Sequence, residues 1–383
     1  MNFWRLLRCE LKAILSESAI VLTVFGGLLL YSVLYPLPYL NQTTTEQPTV
    51  LVDLDQSNLS RRLGRYLDAT PQISINHRAT SLNEAQALIA SDQSRGVVVI
   101  PKNFKRDLLR AKSPTVAIAA NANYMLVYSA IAEGAVKANL AISKEVKGAI
   151  LLAKGGQSTA VGIAIDPIEL SSVPIFNLNL GYLGYLVPAL FVLLLHQTLL
   201  IGTGILGASQ WRQAGYWREV SAWQLVLARC CAFGLIYSGF SLYYFGWCFY
   251  LYDVSRLAGI AELLLLVLPW LLASTAFGIC LSSAFQRRDR PTQFYVIVSM
   301  PILFVSGFVW PSALIPDWLV TASYAIPAIP AIHAMLQLNQ MGGAWVDSLP
   351  YWLGLWLMFV IYGLAACWLV GRRQSIAPPE TAA

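Results

Sequence analysis

Apolar residues along this chain gather into runs long enough to cross a membrane, separated by short polar connections and by one long polar interval near the N-terminus. The first run covers 18–34 and is extended by Tyr35-Pro-Leu-Pro-Tyr39. Five more follow, at about 178–206, 225–252, 257–285, 294–310 and 352–370. A helix rises 1.5 Å per residue, so about 20 residues cross a hydrocarbon core about 30 Å thick. The pattern therefore predicts six transmembrane helices. Ahead of the first run, residues 2–16 place Phe3, Leu7, Leu11 and Ile14 on one stripe at helical spacing, with Arg5, Arg8 and Lys12 off it. Such a segment reads as an amphipathic helix lying along a bilayer surface. A cleaved signal peptide is the competing expectation for the first run. That run exceeds a usual h-region, and no A-x-A-like site precedes the polar interval, which favours a retained anchor.

The polar interval, 41–172, changes period. Thr49-Val-Leu-Val-Asp-Leu reads as a strand and Leu59 to Leu67 as a helix capped near Ser57. Ile73-Ser-Ile reads as a second strand, Ser81 to Ala90 as a second helix, and Gly96-Val-Val-Val-Ile100 as a buried third strand. A helix from Asn103 to Ala111 and a strand from Thr115 to Ala120 complete a βαβαβαβ alternation, and a long helical pattern runs from Tyr124 to about Lys154. The fold class expected is an α-helical integral membrane protein with six transmembrane helices and a small α/β domain inserted between the first and second. In residue numbers this gives an amphipathic helix at 1–16, the first span at 17–40 and the inserted domain at 41–172. The remaining spans lie within 173–373, and a tail occupies 374–383.

One apolar stretch resists a simple span. Between Pro291 and Ile332 the chain carries Pro311, Pro316, Pro327 and Pro330 with almost no charge. Each proline removes a donor and clashes with the preceding turn, so short broken helices are expected over 311–340 after a span ending near Trp310. Irregular backbone at membrane depth survives only when buried in protein or lining a wet cavity.

Composition and charge then set orientation. The chain is 57% hydrophobic and only 12% charged, with 12 Trp and 18 Tyr available for interfacial belts. Its net charge of +6 is no nucleic-acid footprint. Fourteen of the 26 Lys and Arg lie in 41–172, where acidic residues largely offset them, and most others flank apolar runs. Arg5, Arg8 and Lys12 precede the first run, and Arg212 and Arg218 follow the second. Arg287, Arg288 and Arg290 separate the fourth from the fifth, and Arg372 and Arg373 follow the sixth. The opposite connections carry one Arg in 253–256 and none in 311–350. The positive-inside rule thus puts both termini in the cytoplasm and 41–172 outside.

Candidate chemistry is sparse. The six cysteines sit in or beside apolar runs with no C-x-x-C pair, so neither a disulfide framework nor a zinc site is expected. Asp53-Leu-Asp55 resembles the opening of a phosphoryl-transferring α/β hydrolase, but no second acidic pair follows to hold Mg²⁺; strand-end carboxylates capping a turn are the simpler expectation. No phosphate-binding G-x-x-x-x-G-K-[ST] occurs, and no catalytic residue or metal ligand is assigned. His196-Gln197 sits inside the second span, where polar groups are costly and face a protein interior or a pathway. The longest cytoplasmic connection, 208–223, interleaves Trp211, Arg212, Trp217 and Arg218. Such a pattern suits a helix on the membrane or a surface docking into a groove on another protein.

Together these features resemble the membrane subunit of an ABC-2-type exporter, in the bacterial branch with a large extracytoplasmic domain after the first span. Val52-Asp53-Leu-Asp55-Gln-Ser57, Ser60-Arg61, Glu84-Ala85 and Gly96-Val-Val-Val-Ile-Pro101-Lys-Asn-Phe104 are similar to that branch's D-x-D…S-R…E-A…G-hydrophobic-I-P-x-x-F order. Ser306-Gly307-Phe-Val-Trp-Pro311, Ile315-Pro316-Asp-Trp318 and Ile326-Pro327 are similar to its S-G-x-x-x-P…P-x-W…P signature. The chain departs from the pattern in the cytoplasmic loop, which reads Gln210-Trp-Arg212-Gln-Ala-Gly215-Tyr216 rather than an acidic–basic run ending Gly-Thr. It departs again at Gln337, where an Arg is common.

The resemblance implies a permease with no nucleotide site of its own, working with cytoplasmic ATPase subunits that use ATP and Mg²⁺. A second copy or a homologous permease would complete it. A periplasmic adaptor protein often accompanies this branch, and membrane lipid is the remaining partner. It further implies ATPase coupling through Trp211, Arg212, Gly215, Trp217, Arg218 and Glu219, and a pathway or outer rim at His196, Gln197, Ser306, Gly307, Pro311, Pro316 and Trp318. The expected location is a bacterial inner membrane, and the expected cargo is hydrophobic or amphipathic, drug-like or lipid-like. An ATP-independent receptor using the outer domain as a binding module is the alternative. A membrane-tethered phosphohydrolase depending on Asp53 is a third.

Overall fold

A computed structural model gives the fold, describing residues 1–40, 44–110, 112–122, 124–155, 158–165, 176, 181–211 and 215–376. The chain divides into two compact units, Thr43–Val173 and the remainder. It opens with α1, Phe3–Ser16, then turns at Glu17 into α2, Ser18–Tyr39. The buried side of α1 is Leu6, Leu7, Glu10 and Ile14. The expected apolar stripe is therefore shifted and carries a carboxylate at its centre. Helix α2 contains a π-helical turn at Leu22–Gly27 and buries Val24, Leu28 and Ser32. Three hydroxyls fasten it to the third span: Tyr244 donates to the Leu28 carbonyl at 2.7 Å, Tyr252 to the Ser32 carbonyl at 2.9 Å, and Tyr243 lies 3.0 Å from Ser32 Oγ.

The inserted unit runs β1 (Gln47–Asp53), α3 (Asn58–Asp68), β2 (Ile73–Ala79), α4 (Leu82–Ala90), β3 (Gly96–Ile100), α5 (Phe104–Leu109), β4 (Ala117–Ala120), α6 (Met125–Ala153) and α7 (Ser158–Ile165). The sheet order is β2-β1-β3-β4; the first three strands are parallel and β4 is an antiparallel edge. Val50, Leu51 and Val52 are all buried, the continuous apolar reading expected of a strand covered on both faces. Ser57 caps α3 by accepting from the Ser60 N–H at 3.1 Å. Helix α6 presents Val127, Ile131, Ala135, Ala138, Ile142 and Val146 to the core. An ion pair from Arg62 to Glu145 (2.6 Å) and a hydrogen bond from Tyr66 to the same carboxylate (2.7 Å) join it to α3.

The membrane unit resumes with α8 (Leu183–Gln210), α9 (Ala222–Leu251), α10 (Ile260–Ser282), α11 (Arg290–Val305), α12 (Asp317–Ser323), α13 (Ala328–Gln340) and α14 (Trp345–Ser375). Among the described residues five helices, α2, α8, α9, α10 and α14, are long and apolar enough to cross a membrane. The expected span at 294–310 is instead the 16-residue α11, about 24 Å long and short of the ~30 Å core. A sixth crossing arises only if α12 and α13 count as one broken span, bent by 95°. The expected broken helices are thus present, and α13 is buried in protein: Ala328 to Ile332, Ala334 and Met335 are all buried.

Helix α8 forms the axis, buried along almost its whole length. Outward faces elsewhere stay apolar: Leu22, Ile297 and Leu364 are exposed on α2, α11 and α14, a belt suited to lipid rather than water. Lipid removes the hydrophobic drive between helices, so close approach and buried polar bonds must hold them. A Cβ on Gly278 of α10 would stand 2.2 Å from Thr203 Oγ1 of α8, and one on Gly207 of α8 would stand 2.5 Å from Ser282 Oγ. Backbone contact of α8 with α10 therefore needs glycine at both places. Gly278→Val is expected to destabilise the bundle by about 1–3 kcal/mol through overpacking, read as a lowered unfolding temperature in detergent. Gly234→Ala on α9, where a Cβ meets nothing within 4 Å, should leave it unchanged.

Candidate functional site

At the end of the bundle that carries α1, polar side chains from four segments converge in a space closed to solvent. Glu10 and Arg229 are 0% and 1% exposed. Arg229 Nε donates to Glu10 Oε2 at 2.8 Å and Nη2 to Oε1 at 3.1 Å, a two-pronged pair. Arg229 Nη2 also donates to Gln210 Oε1 at the last residue of α8. The Tyr216 hydroxyl donates to Glu10 Oε1 at 2.8 Å and accepts from Gln210 Nε2 at 3.0 Å. Burial, and then the adjacent Glu10 carboxylate, push the Tyr216 hydroxyl well above its ordinary range, so it stays a donor. Arg229, near the foot of α9, turns inward because Glu10 offers a carboxylate there.

The connection from α8 to α9 wraps this knot. Trp211 and Trp217 are buried and meet edge to face at 5.1 Å. Trp211 Nε1 donates to the Ser282 carbonyl at 3.1 Å, and Gln374 Nε2 to the carbonyls of Trp217 and Val220 at 2.6 and 3.0 Å. Arg218 lies over the Trp217 ring at 4.6 Å and donates to the Ile376 carbonyl at 2.7 Å. Among the described residues of this loop only Tyr216–Arg218 is helical, as a single 3-10 turn, and they pack as a compact plug. Gly215 and Arg218 are half-buried and Glu219 exposed, while Arg212 lies outside the described residues.

His196 and Gln197 stand elsewhere on α8, beside a cavity of about 170 Å³ bounded by α8, α10 and α11. His196 is 1% exposed, with Nδ1 2.9 Å from Ser274 Oγ and its ring stacked on Phe277. His196 and Tyr295 both line the cavity, and the Nε2 of the one and the hydroxyl of the other have no partner among the described residues. Unmet buried polar atoms are costly, although the wall of the cavity itself is apolar.

The residues expected at a rim separate. Ser306 is buried and ends α11, its hydroxyl bonding back to the Leu303 carbonyl. Gly307 has φ +84°, the left-handed turn that lets a helix stop, and it lies against His333. His333 is stacked between Tyr324 and Tyr351 at 5.7 and 5.9 Å. Pro311, Pro316 and Trp318 are exposed, and none of these five lines the His196 cavity. Asp53 and Asp55 are engaged structurally. Asp53 accepts from the Asp55 and Gln56 N–H groups and from Ser60 Oγ, and Asp55 from the Lys105 N–H.

Glu10, Gln210, Tyr216 and Arg229 were not selected by sequence reasoning. The one signal was Glu10 itself, a carboxylate a helical turn from both Leu7 and Ile14 on an apolar stripe.

Compared with known families, residues 18–368 match the model described as ABC-2 family transporter protein. No curated protein matches the chain.

Removing either charge of the knot strands the other. Glu10→Leu and Arg229→Met are each expected to cost about 3–5 kcal/mol, whereas the two combined should recover most of it. Thermal unfolding of the four proteins in detergent, read as a double-mutant cycle, checks this; additive losses would count against the pair.

Proposed function

The chain belongs to the ABC-2 family of transporter proteins, and on that premise we propose that it is the membrane permease of an ATP-driven exporter, powered by a separate ATPase subunit. A partnering ATPase is general to the family; docking on this chain at α1 and the 215–221 loop is the proposal. The observation that carries it is the buried Glu10–Arg229 knot. It fastens α1 and the loop to the feet of α8 and α9, while Arg5, Arg8, Lys12 and Glu219 face outward. A push on those exposed faces reaches the central helix through hydrogen bonds of fixed geometry rather than through a flexible linker. Trp211 and Trp217 then act as the packed interior of the lever, and Glu219, with Arg218 beside it, as part of its outer contact.

In this reading both termini lie in the cytoplasm of a bacterial cell, as the distribution of Arg and Lys supports, and the Thr43–Val173 unit lies outside, where a periplasmic adaptor could receive cargo. A second permease copy completes the passage. The cavity at His196 and Gln197 lies on that passage. Its walls, Leu193, Phe277 and Val298 among them, with the unpartnered His196 Nε2 and Tyr295 hydroxyl, suit an amphipathic cargo carrying at least one hydrogen-bonding group.

Two measurements test the proposal. Reversing Arg5, Arg8 and Lys12 to Glu should lower co-purification of the cognate ATPase by at least about tenfold, since each exposed pair contributes up to about 1 kcal/mol, while leaving unfolding temperature unchanged. Glu10→Gln should retain the ATPase and its basal ATP hydrolysis but lose ATP-dependent extrusion. Undiminished co-purification in the first variant removes the docking assignment, and undiminished extrusion in the second removes the lever.

A further inference from the structure

Far from α1, the outer portions of α9 and α10 part around a crevice of about 570 Å³, a volume typical of small-molecule sites. Leu242 and Phe245 of α9 and Leu264 and Leu268 of α10 form its walls. Leu242, Leu264 and Leu268 are 58%, 49% and 49% exposed, so the crevice opens sideways onto whatever surrounds the bundle. Between Ile260 and Leu268 the helix advances eight residues, giving a slot about 12 Å long.

Polar groups stand at its two ends. Arg256, in the connection between α9 and α10, lines the mouth and has no hydrogen bond or ion pair among the described residues. The carboxylates nearest in sequence do not pair with it. Glu262 accepts from the Gly259 N–H at 2.9 Å, and Asp253 is exposed on the same connection. Deep in the slot, ten residues or about 15 Å before the end of α9, Ser241 is 4% exposed and its hydroxyl has no partner among the described residues. Hydroxyls elsewhere in these helices bond back to a carbonyl one turn earlier, as Ser32, Thr198, Thr203 and Ser282 do. Ser241 forgoes that bond and lines the crevice, where an unmet hydroxyl is costly.

We infer that this crevice binds an anionic amphiphile with a hydroxyl partway along its apolar body, the anionic head on Arg256 and the hydroxyl on Ser241. A plain acyl chain would satisfy the walls but leave Ser241 unmet. A free small anion would satisfy Arg256 and leave the walls empty. A molecule with both polar groups and an apolar span between them meets Arg256, Ser241 and the walls together, with Ser238 lining the same slot. The site is separate from the His196 cavity, and it binds whether or not the chain transports.

Ricinoleate, oleate and methyl ricinoleate separate the three contributions, because oleate lacks the hydroxyl and the ester lacks the charge. Binding to the full chain in phosphatidylcholine nanodiscs, at mildly alkaline pH, is expected to favour ricinoleate over each of the others by about tenfold. Ser241→Ala should abolish the preference over oleate, and Arg256→Ala the preference over the ester. Gly246 also lines the crevice, with nothing within 4 Å of where its Cβ would stand, so Gly246→Phe should fill the slot and remove all three without disturbing the fold. Solvent extraction of the purified chain identifies the natural source. A co-purified hydroxylated lipid points to the bilayer, uptake only of added ricinoleate points to a free amphiphile, and either supports the site. Equal binding of the three probes, or preferences that survive both single variants, overturns it.

Discussion

A carboxylate and a guanidinium held out of water have few stable arrangements, and the Glu10–Arg229 pair occupies one of them. Each charge alone would be expensive where it lies; together, with Gln210 and Tyr216 taking up further donors and acceptors, they make a node that cannot shift one segment without shifting the rest. Helix α1 would otherwise be free to float along a bilayer surface on its apolar stripe. The node instead makes it an integral part of the bundle, joined to the ends of α8 and α9. Buried ion pairs are weak arguments for stability. This one is better understood as fixing geometry, since it determines where a surface helix stands relative to the central one.

The opposite end of the bundle solves a different problem with different chemistry. Between α11 and α14 the chain must turn several times in an environment without water, and every interrupted backbone bond needs a partner. Gly307 supplies the left-handed stop, Tyr185 donates to the Phe308 carbonyl, and the Tyr324–His333–Tyr351 stack packs across the break. Gln340 donates to the Gly184 carbonyl, tying the end of α13 back to the start of α8. Motif positions such as Ser306 and Gly307 thus have local structural reasons to be what they are, independent of any passage for cargo.

Between these ends, α8 meets α10 at glycine-to-hydroxyl distances, leaving no room there, while the gaps at His196 and at Ser241 stay open. Both gaps contain hydroxyl or imidazole groups that forgo the bonds their neighbours make.

Much of the architecture was legible from local pattern. Apolar runs of span length, the βαβ alternation with its Ser57 cap, and the proline-laden stretch after α11 are read correctly because each depends on residues near one another in sequence. The same reasoning overextended α11 by carrying an apolar run through Gly307, where backbone conformation rather than hydrophobicity ends the helix. The prolines announce the breaks around α13 but not its packing partners, which are α8, α10 and α14.

What the sequence by itself determined is the medium and the parts: that several segments suit lipid, which interval folds as a sheet, and where charge is sparse. Tertiary structure alone decided the partnerships. That Arg229 turns inward, that Trp211 and Trp217 pack as a plug, and that Ser241 faces an opening all depend on residues up to 219 positions apart. Such contacts leave no periodic trace along the chain, because a polar side chain's role is set by whichever partner arrives beside it.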